Sequence, residues 1–131
     1  MNFLSLSPKP VQHDSLRWIA SEAQRGVRFA VRLPSLGSRI ELTRRLQALT
    51  RQNEFLANGN DLQQLERALS ELLVQRLLIE WGLAGLEGLQ IDGQAASVES
   101  LIDRGPEALV SEIAAQIRAE CGLTEDERKN F

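Results

Sequence analysis

The chain has 131 residues, 43% of them hydrophobic and 25% charged, with a net charge of −3. This is too apolar for wholesale disorder and supports one domain with a real core, not two. Aromatic residues make up only 5%, with no Tyr, so the core has to be aliphatic. The single cysteine, Cys121, excludes an internal disulfide, and nothing points to secretion.

The opening MNFLSLSPKP lacks a basic stretch followed by a long apolar run, so it does not read as a signal peptide. The most apolar region, Leu72–Leu86, is broken by Gln75, Arg76 and Glu80 and falls short of a membrane span. The expected compartment is a reducing cytoplasm. Charge is uneven: residues 1–51 hold nine Lys/Arg and three Asp/Glu (+6), residues 52–131 six and fifteen (−9). Two explanations stand: the halves pair within one fold, or complementary patches bring copies together.

Residues 1–14 read as a flexible entry segment, and residues 15–131 as a single domain. From Ser15 the pattern alternates. Leu16, Trp18 and Ala20 point one way, and after Glu22–Gly26 so do Val27, Phe29, Val31 and Leu33. This predicts a β-hairpin over about 15–33, with Arg17, Arg28 and Arg32 on the wet face. A short helix over 14–25 is the competing reading.

From about Ser38 to Ala57 the period becomes helical, with Leu42, Leu46, Leu49, Asn53 and Leu56 along one face. "NGND" breaks that helix, and Asp61 is placed to cap a second one over about Leu62–Leu83. Leu62, Leu65, Leu69, Leu72, Arg76, Ile79 and Leu83 keep the same spacing, and Leu73, Leu77 and Leu78 widen the stripe. Such a helix is central to a core or touches partners on two sides. The short link predicts a helical hairpin over about 38–83.

"LQIDGQA" alternates around Asp92-Gly93, a tight-turn pair, and predicts a second small hairpin over about 86–96. Ser97 caps a short helix to Arg104. Gly105-Pro106-Glu107 is a stop and a start, with Pro106 at the first helical position. The next helix carries Leu109, Ile113 and Ile117 to Cys121 and ends at Gly122. Thr124 and Glu127 then have capping-box spacing, which starts another helix. The expected fold is mainly α: a helical hairpin plus two or three shorter helices, with one or two small β-hairpins.

Catalytic chemistry is not visible. His13 has no convergent partner in sequence, Cys121 at a helix end reads as a small buried hydrophobe, and one His with one Cys cannot build a structural zinc site. Asp92-Gly93 lacks the repeated oxygen ligands of a calcium loop, and the glycines of 82–93 match no phosphate loop. No enzyme, metal or cofactor is expected. The cluster Arg39, Arg44, Arg45 and Arg51 lacks interleaved aromatics and reads as a solvated helix face, with nucleic-acid contact the lesser reading. Trp81 has two readings, a core anchor or an interface anchor.

Taken in order, "LLIEWGLAGLEGLQIDG…SLIDRGPEALVSEIAAQIRAECGLTEDERKN" resembles the C-terminal part of small phage and prophage tail proteins, nearest to the tail-assembly chaperones of long-tailed phages. The resemblance rests on Trp81-Gly82, Ile91-Asp92-Gly93, Gly105-Pro106-Glu107 and Glu125–Asn130, and less specifically on "SRIELTRRLQALTRQNEFL". It implies a non-enzymatic protein that coats a long helical tape-measure protein during tail assembly. Members of that family are often made in two lengths by a ribosomal frameshift, so two readings of the helix begun at Thr124 follow from the resemblance: it continues in a longer product, or a partner completes it. Trp81, Leu83, Leu86, Glu127, Arg128, Lys129 and Asn130 become the candidate partner-binding residues, and self-association is compatible with the charge asymmetry. The basic alternating hairpin is not a feature of that family. It suits edge-to-edge assembly, which favours a structural tail or neck component.

Overall fold

A computed structural model describes residues 15–56 and 60–123, with side chains placed for 15–51 and 63–123. Among these residues the fold is mixed and helix-rich, with four helices and two small antiparallel sheets. In chain order the elements are β1 (Leu16–Ala20), β2 (Arg28–Arg32), α1 (Leu36–Leu56), α2 (Asn60–Gly82), β3 (Leu83–Glu87), β4 (Gln90–Ile91), β5 (Gln94–Ala95), α3 (Val98–Arg104) and α4 (Glu107–Glu120).

The first sheet has the order β1-β2-β3, all antiparallel. Its inner face supplies Phe29 and Val31 to the core, fully buried against Leu78 and Ile79 of α2 and Leu109, Ile113 and Ile117 of α4. Leu42 of α1 and Leu101 of α3 complete this aliphatic centre. No polar or charged side chain is buried among the described residues.

The strands of the first predicted hairpin form, but the phase of β1 is the reverse of the expected one. Arg17 pairs across with Val31 and Ile19 with Phe29, so Arg17 and Ile19 share the core side of the sheet. Ile19 packs on the core, while Leu16 and Trp18 remain 41% exposed on the outer face with Arg28 and Arg32. The expectation that Leu16, Trp18 and Ala20 point inward and Arg17 outward is therefore corrected. Tertiary contacts decide it: Arg17 reaches the margin of the inner face, where its Nη1 donates to Glu120 Oε1 of α4 at 2.6 Å. The link after β1 is tied to the same helix, because the Ser21 hydroxyl and the Glu22 amide both donate to the Glu112 carboxylate.

Residues 83–87, expected to lie in a glycine-rich connection and the start of a hairpin over 86–96, instead form the third strand of the main sheet. The second hairpin is shorter, β4 and β5 joined by Asp92-Gly93. Both turn residues have positive φ, 53° and 79°, the two-residue turn whose twist matches the flanking strands. Gly85 is needed where it stands: a Cβ there would come within 2.8 Å of the Trp18 ring, which lies across Ala30 and Gly85 on the outer face.

The helix ends follow local chemistry. Ser97 and Ser100 cap α3 reciprocally: the Ser97 hydroxyl accepts from the Ser100 amide at 3.1 Å, and the Ser100 hydroxyl accepts from the Ser97 amide at 2.9 Å. Pro106 sits one position earlier than expected, at the cap, with Glu107 as the first helical residue. At the end of α4, Leu123 N donates to Arg118 O and Gly122 N to Ala119 O, with Gly122 at φ 72°. This pair of bonds closes the helix, and Leu123 folds back on the core. α2 starts at Asn60, one residue ahead of the expected cap at Asp61. The expected entry segment 1–14 and the helix start at Thr124 lie outside the described residues.

Candidate functional site

α2 is apolar on more than one side, and α1 covers only one of them. Leu73, Val74, Leu77 and Leu78 face the clefts shared with Leu46, Ala48 and Leu49 of α1. Leu65, Leu69 and Leu72, spaced i, i+4 and i+7, form a stripe turned the other way, because 100° per residue places them opposite Val74. They remain 68%, 47% and 61% exposed. The expected single face running from Leu65 through Ile79 to Leu83 therefore divides. Its C-terminal end is core, with Ile79 and Leu83 buried, and its N-terminal part is an uncovered leucine surface. A second pair, Leu36 and Ile40, is exposed at the start of α1.

On the side of α2 opposite this stripe, α1, α2 and the end of α4 enclose an open cleft of about 690 Å³. Its floor is Leu46, Val74, Leu78 and Leu123, and its rim is of mixed charge, Arg51, Arg67 and Arg118 standing there with Glu71 and the hydroxyls of Thr43, Thr50 and Ser70. An apolar floor beneath a rim of mixed charge and hydroxyl groups can take aliphatic side chains.

The residues singled out from sequence are not gathered at this surface. Trp81 and Leu83 belong to the core, 6% and 7% exposed, and the Arg32 guanidinium lies 5.4 Å from the centre of the Trp81 ring. Leu86 is half-buried against the core, opposite Phe29. Glu127, Arg128, Lys129 and Asn130 lie outside the described residues, as does His13. Cys121 is 3% exposed, and burial, above all, pushes its thiol up to about 11, with Glu120 adding to the rise and Arg39 opposing it. Such a thiol is protonated at neutral pH and is no nucleophile. Among the described residues no three His, Cys, Asp or Glu side chains are grouped to hold a metal ion.

The arginine cluster of α1 is partly committed within its own helix, where Arg45 is bonded to Glu41. Across the sheet and helices, Arg17–Glu120, Arg28–Glu87 and the Glu112 contacts join the basic first half to the acidic second half. No described helix is long and apolar enough to cross a membrane.

Sequence reasoning missed Leu65, Leu69 and Leu72 as surface residues, although the extra leucines at 73, 77 and 78 were the signal: one helix cannot bury both sets on one neighbour. No family model matches this chain, and neither a curated protein nor a solved structure matches it.

Proposed function

We propose that the chain is a non-enzymatic binding protein that holds amphipathic helical segments of a long helical tail protein during phage tail assembly, as a chaperone or adaptor. One observation carries the reading: three leucines at helical spacing on α2 stay 47–68% exposed, although further along the same helix Leu78 and Ile79 are fully buried. Exposed leucines at i, i+4 and i+7 are what an amphipathic helix packs against. The cleft on the other side of α2, with its aliphatic floor, suits apolar residues of such a client. The reading calls for no cofactor.

The test is co-expression with the long helical protein encoded beside it. A neighbour that is insoluble alone and soluble in a complex supports the proposal. A neighbour that is soluble alone and does not co-purify sinks it. Mass spectrometry of intact particles separates a chaperone, which leaves, from a structural tail or neck component, which stays. A DNA-contacting role predicts instead a gel shift whose affinity collapses with salt.

A further inference from the structure

We propose that β1 is an open sheet edge to which a second copy of the chain adds its own β1, antiparallel and centred on Trp18, so that the two three-stranded sheets become one across a two-fold axis. This is independent of the helix-binding reading, since it uses a different element and a different kind of contact.

The hydrogen-bond pattern shows which groups are on offer. Ser15 O accepts from Leu33 N and Ser21 N donates to Val27 O, both at 2.8 Å. In the β1–β2 register, residues 15, 17, 19 and 21 thus direct their N–H and C=O groups to β2, and Leu16, Trp18 and Ala20 direct theirs away from it. β2 is the one described neighbour of β1.

Edges that resist association carry proline, lysine, bulges or inward charges. β1 has no proline or lysine, and its register with β2 is regular over all five residues. Its only charge, Arg17, does point inward, but it is paired with Glu120 of α4, so it leaves no unpaired charge along the edge. The opposite edge differs: β3 contains Gly85 and breaks register at Ala30/Val31. β1 is also held in place, through Arg17–Glu120 within the strand and the Ser21 and Glu22 bonds to Glu112 just beyond it. Trp18 leans inward over Ala30 and Gly85, so its own ring does not cover the strand's outer side.

Self-complementarity selects a second copy as the occupant. A two-fold axis at Trp18 pairs every residue of the strand. It sets bulky Leu16 against the partner's small Ala20, and Arg17 against the partner's Ile19. An axis one residue earlier would put the two Arg17 side chains directly opposite, a destabilising arrangement. An isologous contact of this kind closes at the dimer.

The test is sedimentation equilibrium of the full chain over rising concentration, with circular dichroism of each variant. The wild type is expected to show a monomer–dimer equilibrium. Ala20→Pro removes an outward donor in both copies while sparing the bonds to β2, so the dissociation constant rises by about tenfold or more. Leu16→Lys with Ala20→Lys, both at exposed positions, gives a folded monomer through facing like charges. Leu16→Lys with Ala20→Glu restores the dimer, because this register places 16 opposite 20. A wild type that stays monomeric to millimolar concentration overturns the proposal. So does a dimer indifferent to these changes, which would use another face such as the α2 leucines, or a Lys/Glu pair that fails to restore association.

Discussion

Replacing Gly82 by alanine tests how the end of α2 meets α4. A Cβ at position 82 would lie 2.8 Å from Ile117 Cγ2, 2.9 Å from Cγ1 and 3.0 Å from Cδ1. Carbon atoms in contact prefer about 3.5–4.0 Å, so the helices must separate or Ile117 must leave its rotamer. Ile117 is fully buried and β-branched, hence stiff about χ1. Overpacking of this kind costs about 1–3 kcal/mol. Against it stands the helix preference of Ala over Gly, up to about 1 kcal/mol in a helix interior and less at the last residue of α2. The clash should win, leaving Gly82→Ala destabilised by about 1–2 kcal/mol in urea unfolding. Ile117→Ala alone should cost about 2–5 kcal/mol through the cavity it leaves. In the double variant the new methyl enters that cavity, so the two costs should fall short of additive by about 1–2 kcal/mol. A Gly82→Ala protein as stable as the wild type, or a strictly additive cycle, would refute this packing.

Other changes probe the fold and the site. Ser97→Ala removes the acceptor for the Ser100 amide and should lower stability by about 1 kcal/mol, read by urea midpoint. Leu78→Ala, at a fully buried position, should cost about 2–5 kcal/mol, whereas Leu72→Ala, 61% exposed, should cost less than about 1 kcal/mol. Equal losses would contradict the division of α2 into a core face and a free face. For Cys121 the folded thiol titrates near 11 against an ordinary value of 9.0, so the fold favours the protonated form. Its contribution is intact below about pH 9 and is lost as pH rises toward 11, by about 2–3 kcal/mol at about 1.4 kcal/mol per pH unit. Denaturant titrations of wild type and Cys121→Ala from pH 8 to 11 should converge across that window, and curves that stay parallel would refute it.

The parts of the fold decided within a few residues were legible in the sequence. Asp92-Gly93 specifies its turn because both positions need positive φ, and Ser97 and Gly122 mark helix ends through bonds to backbone groups nearby. The phase of β1 was not legible. Leu16, Trp18 and Ala20 outweigh Arg17 and Ile19 in apolar content, and only Glu120, more than a hundred residues away, explains why Arg17 faces inward. β3 was hidden because Gly82, Gly85 and Gly88, in and around it, read as loop, whereas Gly85 serves the close passage of Trp18. The candidate surface was half legible: the width of the apolar stripe on α2 signalled two contacts, but which leucines face α1 depends on where that helix docks. Trp81 shows the converse, a residue type common at interfaces that this fold places in its core.

The central claim, that the exposed leucines of α2 hold a helical client, is tested most directly by titrating a helical segment of the proposed tail-protein client into the wild type and into a Leu65→Ala, Leu69→Ala, Leu72→Ala triple variant. Burying a leucine fully is worth about 1.5–3 kcal/mol, so covering the 47–68% still exposed contributes roughly 1–2 kcal/mol at each position. The account predicts that the variant keeps its unfolding free energy within about 1–2 kcal/mol and binds at least about a hundredfold more weakly. Unchanged affinity in a folded variant would contradict it.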